Sequence, residues 1–335
     1  MITGSYPPDV CGVGDYSACF MRETDCEKWN LYHSSNWKVN CIITKIREIN
    51  SYGCKYIVMQ YPTQGYGWSL LPQLICLYYS WFTRKRFTVV LHEFSQRTFK
   101  AKIASLFLLF ANKVIFTSEY EKLAANRIVC GLAKNAAVIR ILSNITAELP
   151  LHPMHERDID VAYFGHLRPQ KGLEDFIQII NTIHTSRSKI RVCIIGQRLV
   201  EYETYLHTLL NNCKHNVELH FNCSNLEAAQ LLNKTKIVFL PFIDGLSERR
   251  GSFLAAISNG TLVVSYTGRF TTKELKNIFI STSYPHAVET ILSILDTMDD
   301  DTFEFYQKKS QLYLHNNLPS CWKSIVSMYE EFITV

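Results

Sequence analysis

Ten short apolar runs, many of them rich in β-branched residues, punctuate the chain: Tyr56 to Met59, Phe87 to Leu91, Val114 to Phe116, Val138 to Leu142, Val161 to Phe164, Ile190 to Ile195, Val217 to Phe221, Ile237 to Leu240, Leu262 to Ser265 and Ile278 to Ile280. Continuous runs of this length, rather than alternating ones, predict strands buried on both faces, as in a parallel sheet covered by helices. Helical periodicity fills the intervals. It is clearest after Gly172, where Leu173, Phe176, Ile177 and Ile180 fall at i, i+3, i+4 and i+7. The pattern predicts an α/β protein in which strand and helix alternate from one end to the other.

One interval breaks the rhythm. Glu148 to Asp158 carries two prolines and no apolar period, which is the composition of a domain linker. The expected organisation is an N-terminal domain over 1–149, a C-terminal domain over 150–318 and an amphipathic terminal helix in 319–335, spanning Pro319 to Ile333. A length of 335 residues accommodates two domains of ordinary size. The first domain opens with only Met1, Ile2 and Thr3 ahead of a glycine-bearing loop. Its first strand is therefore expected to be short, unless the true start lies upstream.

Composition narrows the class. With 47% hydrophobic and 19% charged residues the chain is globular. Eleven scattered cysteines with no C-x-x-C pair suit reduced cytosolic thiols and argue against a disulfide framework or structural zinc. Asn144, Asn222 and Asn233 each begin an N-x-S/T triplet, which reads as a chance match in a chain with no export signal. The longest apolar stretch, Trp68 to Phe82, is interrupted by Pro72 and Gln73 and is too short to span a bilayer. A cytoplasmic protein is expected, at most peripheral on a membrane. Net charge is +5, and no Lys/Arg block is interleaved with aromatics as a nucleic-acid groove requires. Acidic small molecules and anionic lipid headgroups suit that charge better. Arg97 to Lys113 mixes basic residues with a strongly apolar run, a pattern of either a surface-docking helix or a core helix with snorkelling lysines.

Four segments carry candidate chemistry. In Thr3 to Ser17, Gly12 and Gly14 flank Val13 and precede a helix expected to begin near Asp15, an arrangement suited to a phosphate or sugar. Ser17 stands where a nicotinamide fingerprint needs its third glycine, which argues against that cofactor. The run Val89-Val-Leu ends in His92, and ligands of open α/β sheets bind at carboxyl ends of strands. The third segment, Val161 to Gly172, sends a strand into a loop bearing Arg168 and Lys171, two cations placed for a diphosphate. In the fourth, Phe239 to Val264, Glu248, Arg249, Arg250 and Gly251 precede a short helix that Ser252 can cap and Gly260 can end, and a helix start so preceded can hold the phosphate oxygens and sugar hydroxyls of a donor.

In this order the segments resemble family 4 of the GT-B glycosyltransferases, above all bacterial members with a Y-P-P-x-x-G-G-V-G-D-Y opening and an R-R-G-S segment. The resemblance runs from Gly4 to about Gly268. It implies two Rossmann-like domains facing across a cleft, the first binding the acceptor and the second the nucleotide diphosphate sugar, with the terminal helix crossing back to the first domain. It also implies a retaining, metal-independent transfer with the nucleotide sugar as co-substrate and no further cofactor. The acceptor would be a glycan or lipid-linked glycan of a bacterial surface polysaccharide. By resemblance, Gly12, Val13 and Gly14 lie beside the donor diphosphate and acceptor, His92 lies near the donor sugar, Lys171 binds phosphate, and Gly251 and Ser252 begin the helix beneath the diphosphate.

Two departures from the family pattern stand out. His166 occupies the usual loop arginine's place, which passes to Arg168. The family's paired glutamates fall on Ser247 and Ala255, and the last motif reads Gly260-Thr-Leu-Val-Val without its proline. Glu248 is the nearby carboxylate left to hold the donor sugar. A catalytically silent GT-B scaffold and a GT-B-shaped sugar-nucleotide epimerase are the alternatives. The triplets Asp158 to Asp160 and Asp299 to Asp301 look like D-x-D metal motifs, but one precedes a strand and the other sits where acidic residues cap helices.

Overall fold

The computed structural model describes residues 1–95, 97–129 and 135–335. Cys130 lies outside the described residues, and the ten described cysteines are free thiols. Twelve strands are described: β1 (Ile2–Thr3), β2 (Tyr32–His33), β3 (Tyr56–Tyr61), β4 (Arg86–Leu91), β5 (Lys113–Phe116), β6 (Ala136–Val138), β7 (Ile159–His166), β8 (Val192–Gln197), β9 (Glu218–Phe221), β10 (Thr235–Leu240), β11 (Leu262–Tyr266) and β12 (Ile280–Thr282). The α-helices are α1 (Gly12–Arg22), α2 (Ile42–Ser51), α3 (Leu71–Phe82), α4 (Phe99–Leu106), α5 (Glu119–Asn126), α6 (Leu173–Ser186), α7 (Glu203–Asn211), α8 (Asn225–Asn233), α9 (Gly251–Ser258), α10 (Ala287–Thr297), α11 (Asp300–Asn317) and α12 (Trp322–Thr334).

The chain forms two compact units, one of Met1–Leu142 with Pro319–Val335 and one of Ser143–Leu318. Each holds one six-stranded sheet, and all the pairings are parallel. The first sheet has the order β2-β1-β3-β4-β5-β6, the second β12-β11-β10-β7-β8-β9. The second is the doubly wound Rossmann order, in which strand sequence reverses direction between β7 and β10. In the first, the reversal lies between β1 and β3.

The apolar runs form strands because both faces of each sheet are covered. In the first unit, Ile57, Met59, Phe87, Val89, Leu91, Val114 and Phe116 enter one core, where Ile49 of α2 and Ile75 and Tyr79 of α3 pack. Val58, Val90 and Ile115, the alternate residues, face the other core with Tyr16 and Phe20 of α1 and Ile325, Val326 and Tyr329 of α12. The terminal helix is thus integral to the first unit. Tyr16 and Tyr329 hydroxyls hydrogen-bond at 3.0 Å, and Trp29 Nε1 donates to Glu330 Oε1 at 2.8 Å. In the second unit Val161, Tyr163, Val192, Ile194, Ile237, Phe239, Leu262 and Val264 share one core with α6 and α10.

The segment from Glu148 to Asp158 is tied into the second unit along its length. Glu148 N–H donates to Asn259 Oδ1 at 2.8 Å and His152 N–H to Asn233 Oδ1 at 3.0 Å. Arg157, 1% exposed, lies within the unit and donates to the carbonyls of His152, Leu232, Thr235 and Asn259 and to Asn233 Oδ1, with its guanidinium over the Phe303 ring. Burial pulls its pKa down to about 9, so it enters the interior as a cation. The two prolines break the periodicity of this segment without freeing it, because side chains replace the ladder as hydrogen-bond partners.

Four expectations about elements need correction. The run Ile278 to Ile280 is strand only at its last residue, since β12 covers Ile280–Thr282. The helix expected near Asp15 starts at Gly12, since Asp15 N–H already donates to Cys11 O at 2.8 Å. The run Val138 to Leu142 is strand only at its first residue. β6 begins two residues earlier, pairing Ala136 with Val114 and Val138 with Phe116. Ser252 does not cap α9, because Arg250 is the N-cap and Ser252 is the helix's second residue. Gly260 does follow the helix end in the left-handed conformation, at φ 66°.

Candidate functional site

In the second unit the reversal of strand order places two loops side by side at the carboxyl ends of β7 and β10, where open α/β sheets bind ligands. The loop after β7 carries Arg168 and Lys171, and that after β10 carries Asp244, Glu248 and Arg250 and leads into α9 at Gly251 and Ser252. They meet at Gly172. Its φ of 83° is left-handed, and a Cβ there would stand 2.1 Å from the Pro241 carbonyl oxygen, so only glycine allows this approach.

Tyr163 braces the basic loop, its hydroxyl donating to the carbonyls of Lys171 at 3.2 Å and His166 at 3.4 Å. That hydroxyl also lies in the field of Arg168 and Arg250, so the two arginines of separate loops share one neighbourhood. His166 reports the same field. Burial first, then the charges of Lys171 and Arg168, lower its pKa to about 4, so it is neutral near pH 7. His166 is thus an uncharged imidazole beside two cations. Arg168 Nε and Ser247 Oγ are buried without a hydrogen-bond partner.

Arg250 is ion-paired with Asp244, and its guanidinium lies 4.5 Å from the centre of the Phe242 ring. A turn closed by Arg250 N–H donating to Ser247 O at 3.1 Å holds half-buried Glu248 next to the start of α9. The amides of Gly251, Ser252 and Phe253 open the helix ahead of its first intrahelical bond, Leu254 N–H to Arg250 O. A Cβ at Gly251 would meet nothing within 4 Å, so the helix end is open to a ligand. Ala255 is fully buried on the core side of α9, and a carboxylate there would point into the interior.

In the first unit His92 follows β4 directly. Its Nε2 lies 2.8 Å from Gln60 Oε1, an acceptor, so Nε2 carries a proton and donates it there. Tyr16 packs edge-on against the ring with centroids 4.9 Å apart. His92 is only 7% exposed, so it presents an edge, not a whole side chain. The loop after it is fixed by Glu121 of α5. Phe94 N–H and Ser95 N–H donate to Glu121 Oε2 at 2.9 and 2.6 Å, and Ser95 Oγ to Oε1 at 2.9 Å.

Gly12, Val13 and Gly14 form the first turn of α1. At Gly14 a Cβ would come within 3.1 Å of Ser5 O, which presses the helix start against the loop from β1, whereas at Gly12 it would meet nothing. Asp15, in the same turn, has a carboxyl that burial raises to about 6. A cavity of ≈ 630 Å³ lined by Trp29, Tyr32, Tyr56 and Glu330 opens at the opposite, amino end of the same strands.

Asp15, Gln60, Glu121 and Asp244 were not reached by sequence reasoning. Asp15 and Asp244 lay inside the quoted segments, while Gln60 and Glu121 lay outside them. The acidic triplets have structural partners: Asp299 caps α11 by accepting from Thr302 N–H, Asp158 pairs with Arg191, and Asp160 with Lys236. Among the described residues, Cys193, Glu218 and His220 place three potential metal ligands within 4.8 Å of one another. The Arg191 guanidinium already donates to both oxygens of Glu218, supplying the positive charge there.

Comparison with solved structures identifies the class of fold. HepE of Anabaena, solved with UDP and glucose, is 14% identical with a TM-score of 0.68 over 91% of this chain and 85% of that one. A glycosyltransferase of Rickettsia africae is 14% identical with a TM-score of 0.65 over 93% and 86%. TarM of S. aureus, solved with fondaparinux, alpha-GlcNAc-glycerol and UDP, is 13% identical with a TM-score of 0.62 over 83% of this chain. The chain spans only 55% of TarM's length. The fold is GT-B, two Rossmann-like α/β units. Residues 148–282 match the family model "Glycosyl transferases group 1". No curated protein matches the sequence.

Proposed function

We propose that the chain transfers a glycosyl group, with retention of anomeric configuration and without a catalytic metal, from a nucleoside diphosphate sugar to a glycan or lipid-linked acceptor of a surface polysaccharide. The observation that carries this reading is the convergence of Arg168, Lys171 and the open start of α9 at the strand-order reversal of the second unit. When the bond between sugar and diphosphate breaks, negative charge grows on the departing oxygen. Two cations and a row of helix amides can stabilise it in place.

In this assignment Arg168 and Lys171 take the phosphates, Gly251 and Ser252 offer amides, and Glu248 accepts hydrogen bonds from sugar hydroxyls. Arg250, neutralised by Asp244, shapes the loop and contributes less charge than its motif suggests. From the first unit, Gly12, Val13 and Gly14 and the His92 edge serve the sugar and acceptor. A lipid-linked acceptor places the reaction at the cytoplasmic leaflet of a membrane.

Calorimetric titration with a panel of nucleoside diphosphates tests the donor site. Lys171→Ala should weaken binding by about 1.5 to 3 kcal/mol, the range for a charged hydrogen bond. Unchanged affinity removes Lys171 from the site. The rival reading, a silent GT-B binding subunit, draws on Ser247 and Ala255 standing where the family has carboxylates. Under it, nucleotide binds but labelled sugar never reaches an acceptor.

A further inference from the structure

α4 carries two apolar faces, and only one is needed for its own unit. Its inner side is buried at Ala101 and continues into Leu108 and Leu109 of the 3-10 turn at 107–110. The outer side reads Phe99, Ile103, Phe107 and Phe110, spaced i, i+4, i+8 and i+11, with exposures of 78%, 44%, 45% and 47%. A surface helix ordinarily turns polar residues outward. The end of α3 extends the stripe, since Trp81 and Phe82 are 60% and 75% exposed and the Trp81 ring packs edge-on against Phe110 with centroids 5.8 Å apart. Six large apolar side chains from two consecutive helical elements thus form one continuous outward face, an arrangement that marks an interaction site.

Charge selects the partner. From Trp68 to Lys113 the chain has seven Lys or Arg residues and one acid, Glu93, a local charge of +6 where the whole chain carries +5. Arg84 and Lys100 are exposed beside Phe82 and Phe99. Aromatic and aliphatic side chains bracketed by cations are the composition of a helix lying in a lipid interface, with its apolar face at the acyl boundary and its cations at anionic headgroups. No helix among the described residues is long and apolar enough to cross a membrane. We propose that the outward face of α4, the 107–110 turn and the end of α3 docks on the surface of an anionic phospholipid bilayer. This extends the lipid-linked acceptor reading, yet it stands on exposure and charge and is tested without any transfer assay.

The test is co-sedimentation of the full chain with vesicles of phosphatidylcholine alone or mixed with phosphatidylglycerol, at low and high salt. The expected result is binding to the mixed vesicles at low salt, much weaker binding to phosphatidylcholine, and loss at high salt as screening removes the headgroup attraction. The double variant Phe82→Ser/Phe99→Ser alters only exposed positions and should reduce partitioning at least about tenfold, because each phenylalanine buries its ring in the interface. Nucleoside diphosphate titration of the same variant should match the parent, which separates loss of docking from loss of fold or donor binding. Failure of the parent chain to sediment with anionic vesicles at low salt overturns the proposal, as does unchanged partitioning of the double variant. Concentration-dependent self-association that the double variant abolishes, with no lipid binding by the parent, would assign the face to a second copy instead.

Discussion

The two units solve one structural problem with opposite charges. In the first, a buried carboxylate, Glu121, gathers the amides of the loop that follows His92. In the second, a buried guanidinium, Arg157, gathers carbonyls from the segment at 148–158, α8, β10 and the end of α9. A carboxylate only accepts and a guanidinium only donates, so each charge fixes which backbone groups it can hold. The candidate sites differ in sign as well. The first unit presents an Asp15 that resists ionisation and the His92 edge, while the second crowds Arg168 and Lys171 around a His166 that resists protonation. A diphosphate suits the second environment better than the first, which is the electrostatic basis for proposing the donor site in the C-terminal unit.

Removing the buried charges should have the largest effect and tests whether each is specific to its unit. Glu121→Ala leaves two loop amides and a serine hydroxyl without their acceptor, and Arg157→Ala leaves several carbonyls without their donor. At about 1 to 3 kcal/mol per stranded buried group, each variant should lose at least about 3 kcal/mol in denaturant unfolding. Hydrogen exchange should localise the two losses, to the 93–98 loop and α5 for Glu121→Ala and to the 148–158 segment and β10 for Arg157→Ala. Exchange that spreads equally over both units in either variant would break the comparison.

The comparison also marks what the sequence could reveal. Buried parallel strands were legible because a strand covered on both faces must be apolar throughout, and eight of the ten runs coincide with strands for most of their length. β2, with two residues, has no room for a pattern, and edge strand β6 starts at alanines that carry little β signal. The basic loop and the start of α9 were legible because their residues are contiguous in sequence. Gln60 meets His92 across 32 residues, Glu121 meets Ser95 across 26, and Arg157 meets Asn259 across 102. Such pairings leave no local signature. The pairing of Arg250 with Asp244, six residues apart, was within reach, but a carboxylate in a turn reads first as solvated surface.

A smaller effect concerns the sugar rather than the phosphates. Ala255 is buried in α9 and Ser247 lies under the turn, so Glu248 is the carboxylate next to the helix start. Glu248→Gln should lower transfer at least about tenfold, roughly 1.4 kcal/mol of transition-state stabilisation, while leaving affinity for the bare nucleoside diphosphate unchanged. Loss of nucleotide affinity in the same proportion would instead place Glu248 in the fold of the loop. Equal transfer by variant and parent would remove it from the chemistry and strengthen the silent-subunit reading.

The smallest effect is in the pH dependence of stability, where the two sites should pull in opposite directions. The folded state holds His166 at about 4 against 6.5, so between these values the unfolded chain binds a proton that the folded chain refuses, and stability falls as pH falls. Asp15 is held at about 6 against 3.8, so in that window the folded chain binds the extra proton, and stability rises as pH falls. In the parent chain these two slopes oppose each other, and both are superimposed on those of other shifted groups such as Asp175 and His184. His166→Asn should remove the first slope and make the protein relatively more resistant between pH 6.5 and 4, whereas Asp15→Asn should remove the second and make it relatively more sensitive between pH 6 and 3.8. A bound nucleoside diphosphate sharpens the contrast further. Its negative charge offsets Lys171 and Arg168, the charges that disfavour the imidazolium, so the His166 titration followed by NMR should move upward on binding. An unmoved His166 titration in the presence of saturating nucleotide would show that the phosphates do not lie in the field of that loop.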